Sequence, residues 1–170
     1  MMKRLLILGA VIYFAFNAAV LLFIADGRAE GGVGPAQPIA FSHPIHAGDL
    51  ALDCTYCHQT VEVSRYPGLP DLDVCMGCHV GAVTDRPEIQ KLTGYWEEGR
   101  EVVWTKVYEL PWHVHFTHKR HIAADVECAT CHGDVTVQMP IRQVRALRMG
   151  WCVSCHRDNG ADQDCLTCHK

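Results

Sequence analysis

This chain has no excess of basic charge, no cysteine outside a single motif, and too little length for a core of ordinary size. Each shortage closes off a class of function. Lysine and arginine number 15 against 19 acidic residues, a net charge of −4. That balance supplies no basic face, so a nucleic-acid role is excluded. All ten cysteines fall in one pattern, Cys-x-x-Cys-His, read five times: Cys54–His58, Cys75–His79, Cys128–His132, Cys152–His156 and Cys165–His169. Once an apolar N-terminus is set aside, roughly 145 residues remain, about 29 per motif, which cannot build a separate core around each. Ordinary secondary structure should therefore be sparse, and any group held by the motifs must supply much of the apolar interior.

The motif itself predicts covalent haem. Two thiols three residues apart match the two vinyl groups of one haem, and the adjacent histidine then ligates iron from below. Disulfides do not require a histidine after every second cysteine. Zinc sites take cysteine pairs two at a time, and five pairs do not divide that way. A thioredoxin-like motif is usually single and sits in a βαβ context that this chain lacks. Five haem c groups are expected, attached through Cys54 and Cys57, Cys75 and Cys78, Cys128 and Cys131, Cys152 and Cys155, and Cys165 and Cys168. Their proximal iron ligands are His58, His79, His132, His156 and His169.

Each iron has a sixth position, and six other histidines are present: His43, His46, His113, His115, His118 and His121. Phe41-Ser42-His43-Pro44-Ile45-His46 and Phe116-Thr117-His118-Lys119-Arg120-His121 share the pattern Phe-x-His-x-x-His, and each precedes a haem motif. This is an internal repeat. Histidines three apart share one side of a helical turn, yet their rings can diverge onto different haems. Four distal histidines leave one iron over. Met149, three residues before Cys152, is favoured for it, because thioethers are established ligands of c-type haem; Met139, His113 and His115 are the alternatives.

The N-terminus carries Lys3 and Arg4 before Leu5–Ile24, twenty uncharged residues with Asn17 as the only polar side chain. That length suits a single bilayer-spanning helix. A cleaved signal peptide has a shorter apolar region, although Gly27–Ala29 offers a small-x-small site. The positive-inside rule keeps Lys3 and Arg4 in the cytoplasm and sends the rest outside. The expected organisation is a transmembrane anchor over 1–25, a flexible Gly/Ala/Pro-rich tether over 26–40, a dihaem unit over 41–80, a connector over 81–115 and a trihaem unit over 116–170. In the connector, Pro87–Leu92 reads as a short helix and Val102–Leu110 as extended. Trp96, Trp104 and Trp112 are candidates for packing on haems or for docking a partner. Arg142, Arg145 and Arg148 would line one side of a helical turn.

The paired Phe-x-His-x-x-His and Cys-x-x-Cys-His units resemble the small class III multihaem cytochromes. That resemblance implies short helices around stacked haems. It also implies that the first histidine of each pair caps the next haem and the second reaches a neighbouring one. His43 would then cap the haem of Cys54 and Cys57, and His118 that of Cys128 and Cys131, with His46 and His121 crossing to other haems. The whole order, including Leu110-Pro111, Cys131-His132-Gly133 and Met149–Arg157, is similar to the pentahaem cytochrome subunit of alternative complex III. In that family other subunits oxidise quinol, and electrons reach the haems through iron–sulfur clusters. They leave to a monohaem cytochrome c, a blue copper protein or an oxidase. The resemblance thus implies an electron-transfer subunit of a bacterial inner-membrane respiratory complex. Its partners would be an iron–sulfur subunit and polytopic quinol-binding subunits, and its haems would lie on the periplasmic side. A membrane-anchored quinol dehydrogenase feeding a periplasmic reductase is the alternative. A multihaem reductase is disfavoured: it needs an open iron, whereas here distal candidates outnumber haems and no motif has lysine in place of histidine.

Overall fold

The computed structural model describes residues 2–29 and 34–170, with side chains of the first helix described at Arg4 and from Gly9 to Leu22. That helix, α1 (Met2–Ala29), contains the whole uncharged run. The side chains at 5–8 and 23–24 lie outside the described ones. Among the described residues no helix is long and apolar enough to cross a membrane. Within α1, Val11, Phe14, Phe16, Leu21 and Leu22 are exposed. Asn17 donates its amide to the carbonyl of Tyr13 at 2.8 Å, so the run's one polar side chain bonds its own helix.

The remaining elements are short. They are α2 (Cys54–Cys57), α3 (Leu72–His79), α4 (Pro87–Glu97), α5 (His118–Ile122), α6 (Cys128–His132), α7 (Met149–Asp158) and α8 (Cys165–Cys168). A π-turn spans Pro44–Asp49 and a 3-10 turn Val135–Val137. Every Cys-x-x-Cys pair sits on a helical turn, which places the two thiols on one face. Acidic residues start several of these turns. Asp53 accepts from the Thr55 N–H and Asp164 from the Leu166 N–H, each at 2.8 Å, satisfying N–H groups left without helical partners. The β structure among the described residues is one isolated bridge, Val114 to His169.

A small core forms between α3 and α4. Ile39, Met76 and Leu92 are buried, with Leu72, Ile89, Tyr95, Val102 and Trp104 against them. No described side chain is fully buried, while Tyr56, Leu69, Val137 and Leu166 are at least half exposed. One contact between the two units is the π-turn packed on the 3-10 turn: a Cβ at Gly48 would lie 3.2 Å from the Thr136 carbonyl oxygen.

Three expectations need correction. Residues 26–29 end α1, 30–33 lie outside the described residues, and 34–40 are fixed, not a free tether. Gln37 and Thr105 exchange two hydrogen bonds of 2.9 Å, and the Ala40 N–H donates to Glu88 at 2.7 Å. Val102–Leu110 forms no strand, because Val102 and Trp104 turn into the core and no neighbouring strand offers a ladder. Arg142, Arg145 and Arg148 share no helical turn. Tyr108 Oη instead takes the N–H of Val144 at 3.1 Å and donates to the Arg142 carbonyl at 3.3 Å, holding the backbone open.

Candidate haem centres

The repeat of sequence is also a repeat of geometry. Phe41 meets His43 edge-on at 4.8 Å between ring centroids and stacks on His46 at 4.4 Å. Phe116 meets His118 at 4.9 Å and His121 at 4.5 Å in nearly the same orientations. In both units the second histidine donates Nδ1–H back to the residue after the phenylalanine: His46 to Ser42 at 2.8 Å and His121 to Thr117 at 2.9 Å. The phenylalanine is thus a wedge that sets the angle between two imidazoles.

Most motif histidines are oriented in the same way. Nδ1 of His58 bonds the Gly68 carbonyl at 2.9 Å, His79 that of Ala82 at 3.3 Å and His156 that of Asp162 at 2.5 Å. His118 Nδ1 bonds the Arg65 carbonyl at 3.0 Å. A carbonyl only accepts, so the proton must sit on Nδ1 and Nε2 keeps its lone pair. Such a partner fixes the tautomer and aims the free nitrogen, as metal-bound imidazoles require.

Three motif histidines face a histidine of a Phe-x-His-x-x-His pair. Metal–imidazole bonds of about 2 Å put the centroids of two imidazoles on opposite sides of one metal roughly 6 Å apart. His118 and His132 lie 6.4 Å apart, His121 and His156 6.1 Å, and His46 and His79 5.9 Å. His43 lies near His58; burial, then His58 and His46 beside it, lower its pKa to about 4. Its buried Nδ1 has no partner in the chain. Burial likewise lowers His118 and His132, so these rings are neutral and able to ligate at neutral pH.

The fifth motif is arranged differently. His113 stacks on His169 at 5.5 Å, but His169 Nδ1 donates to the His113 carbonyl at 3.3 Å. The backbone of His113 therefore lies behind the His169 ring, away from Nε2, and cannot also face that nitrogen across an iron. The His115 N–H donates to the Cys168 carbonyl at 2.7 Å, which places it beside the same motif. Met149 opens α7 and is 65% exposed. Met139 is exposed next to Pro140.

The thiols expected to carry the haems lie at or near the surface of the chain. Cys54, Cys78, Cys128 and Cys165 are exposed, while Cys57, Cys75, Cys131, Cys152, Cys155 and Cys168 are partly covered. Cys78 sits one residue before His79 on the last turn of α3, and its carbonyl accepts the Ala82 N–H at 2.9 Å. That bond closes the chain behind the motif and brings the Ala82 carbonyl to His79 Nδ1. Cys155 holds the same place on α7. Asn159 donates its side-chain amide to the Cys155 carbonyl at 2.8 Å and approaches its Sγ at 3.6 Å.

The donor set fits haem better than zinc. None of the ten cysteines forms a disulfide. Burial pushes the thiols of Cys57, Cys75, Cys128, Cys131 and Cys152 up, with neighbouring thiols adding to it. Among the described residues no three of His, Cys, Asp and Glu converge as a zinc site needs. A cavity of about 370 Å³ opens on His79 between Met76, Gln90 and Trp96. The near absence of buried side chains likewise suits large apolar groups packed among the motifs.

The tryptophans divide. Trp104 packs on the small core, Trp96 Nε1 donates to Asp73 at 3.0 Å, and Trp112 is 87% exposed. Tyr108, which sequence reasoning passed over, lies 4.7 Å from the His132 ring. Gln138, equally unremarked, is buried and donates to the His132 carbonyl at 3.0 Å. Neither carries a motif that would single it out.

Comparison with known proteins agrees with this chemistry. The menaquinone reductase multihaem cytochrome c subunit of Nitratidesulfovibrio vulgaris (strain Hildenborough) is 27% identical over 161 residues, covering 79% of this chain and 77% of that protein. Residues 114–170 match the family described as cytochrome c7 and related cytochrome c. The C-terminal third of the present chain is thus similar to the cytochrome c7 group of multihaem cytochromes, and the chain is a framework of short helices and loops with no sheet among the described residues.

Proposed function

We propose that this chain is the electron-transfer subunit of a membrane-bound quinone oxidoreductase complex, carrying five haem c groups between that complex and a periplasmic partner. The observation that carries the reading is the facing of imidazoles from different motifs. His46 lies across from His79 and His121 from His156, so ligands of one haem stand three residues from ligands of the next. His43, His46, His118 and His121 are the distal ligands in this reading. Met149 completes the fifth: it lies three residues before Cys152, on the same face of α7, and Cys152 in turn adjoins Cys168.

The cysteines attach each haem, and the haem supplies one-electron carriage. The chain's own residues do the rest. Backbone carbonyls at Gly68, Arg65, Ala82 and Asp162 hold Nδ1 protons and steady the rings, which raises ligand basicity and fixes orientation. With two side chains offered to each iron, no coordination position would stay open for a substrate, which favours conduction. Anchoring by α1, with the haems on the periplasmic side, follows from the uncharged run and the basic pair before it.

In the fuller reading the complex is alternative complex III: quinol is oxidised by polytopic subunits, an iron–sulfur subunit passes the electrons on, and they leave to a small cytochrome, a copper protein or an oxidase. The name of the N. vulgaris relative, a menaquinone reductase subunit, favours a second reading in which electrons run the other way. Gentle solubilisation of membranes and native electrophoresis decides the assembly. The haem-stained band should migrate with an iron–sulfur subunit and polytopic proteins. Migration alone or with one soluble reductase would shift the quinone site onto this chain. Electron direction is then read by mixing the purified complex with quinol or quinone and following haem absorbance.

A further inference from the structure

The loop from Thr60 to Gly68 touches two of the candidate centres at once. Its Gly68 carbonyl accepts from His58 Nδ1 at 2.9 Å. Three residues earlier, its Arg65 carbonyl accepts from Nδ1 of His118 at 3.0 Å and from the backbone N–H of the same residue at 3.3 Å. The Ser64 carbonyl takes the Lys119 N–H at 3.2 Å, and Arg65 Nη2 donates to the Val114 carbonyl at 3.2 Å. His58 belongs to the first motif, whereas His118 faces His132 of the third. One loop therefore aims ligands in both units.

The second motif is turned elsewhere. Its His79 bonds the nearby Ala82 carbonyl and faces His46, and its helix α3 packs on α4 of the connector. Sequence order would make the second motif the neighbour of the third, but the carbonyl that orients its histidine and the helix its own helix packs on belong to the connector.

We propose that the Thr60–Gly68 loop is a clamp that makes the haem centre of Cys54 and Cys57 the nearest neighbour of that of Cys128 and Cys131, so that electrons cross between the two units there. This rests on the reading of the motifs as haem centres. Cys54 and Cys128, one thiol from each of the two motifs, are also neighbours.

The loop is built around one glycine. Gly68 has φ of +72°, and a Cβ there would lie 2.7 Å from Thr60 Oγ1. Thr60 Oγ1 itself closes the loop by donating to the Tyr66 carbonyl at 2.9 Å. Alanine at 68 must strain the backbone and push Thr60 aside. Valine at 60 removes the closing bond with little change of shape.

The test compares Gly68→Ala and Thr60→Val in the full-length, haem-loaded protein by electron paramagnetic resonance of the ferric state. In both variants two low-spin signals should change g-value together while the others stay fixed. Each of the two should also saturate at lower microwave power once the other has been reduced, because a ferrous low-spin neighbour no longer relaxes it. A change confined to one signal, or two shifted signals that saturate independently, overturns the clamp. Haem content of the wild-type protein separates the two levels of argument. Fewer than five haems per chain defeats the functional reading and the clamp with it, whereas five haems with a single shifted signal defeats the clamp alone.

Discussion

Replacing His121 with alanine should damage a haem that is attached far along the chain, not the one that follows it. His121 stands seven residues before Cys128, yet its ring lies 6.1 Å from that of His156 in the fourth motif. The haem on Cys152 and Cys155 should therefore lose its sixth ligand and turn high-spin, about a fifth of the total haem if five are bound. Stability should fall as well, by an amount the contacts allow us to estimate. The stack on Phe116 at 4.5 Å contributes about 0.5–1.5 kcal/mol. The bond to the Thr117 carbonyl at 2.9 Å contributes about 0.5–1.5 kcal/mol. Together these give about 1–3 kcal/mol before any contribution from ligation, or a drop in melting temperature of roughly 2–12 °C for a chain of this size. The assay combines His121→Ala with removal of both thiols from one motif at a time and measures the high-spin signal by electron paramagnetic resonance. The signal should vanish when Cys152→Ala and Cys155→Ala are added together, and persist with Cys128→Ala and Cys131→Ala. The opposite pattern would refute the crossing of ligands between motifs.

Phe41→Leu keeps much of the buried area but loses the edge and face contacts to His43 and His46, so calorimetry should show a loss of about 1–3 kcal/mol; two haem signals should shift with it, and an unchanged protein would remove the wedge from the account. Leu92→Ala opens the small core between α3 and α4 and should cost about 2–4 kcal/mol, read as an earlier melting transition with an unaltered haem spectrum at 25 °C; a changed spectrum would mean that this core positions ligands. Met149→Leu should abolish the near-infrared sulfur-to-iron band of one ferric haem, and a wild-type protein without that band would dismiss the thioether ligand.

The parts of the sites that were legible in sequence are those whose chemistry needs neighbouring residues. In the proposed attachment a haem would take two thiols and an imidazole from one helical turn, which needs Cys54, Cys57 and His58 to be contiguous; each Cys-x-x-Cys pair sits on such a turn. The Phe-x-His-x-x-His repeat is legible for the same reason, since the phenylalanine, both imidazoles and the Nδ1 acceptor fall within six residues. The orienting carbonyls are another matter. Gly68, Arg65 and Asp162 act through backbone oxygen, which every residue has, so no side chain marks them. The arginines at 142, 145 and 148 had helical spacing, but Tyr108 from a distant segment holds that backbone open. The segment 34–40 had tether composition, yet Gln37, paired with the backbone of Thr105, and the Ala40 N–H, bonded to Glu88, fix it. Tertiary contacts of single residues leave no periodic trace.

The proposed crossed ligands would also account for how so small a core can hold a fold. Ile39, Met76 and Leu92 are the buried apolar residues among those described, and even at about 1.5–3 kcal/mol each they do not approach the ordering cost of the chain. A ligand pair that joins distant segments acts as a cross-link and removes unfolded conformations. For loops of the length between His46 and His79 or between His121 and His156, the chain-entropy relation gives about 3–4 kcal/mol apiece. Proximal ligation alone would close no such loop, because thiols and histidine lie within one turn. A local pair such as His118 with His132 closes a shorter loop and gives less, about 3 kcal/mol. In the proposed ligation the crossing ligands are therefore where the same bond would serve both ends: it would set two haems side by side for electron transfer, and it would tie into one body segments that the side-chain core cannot hold.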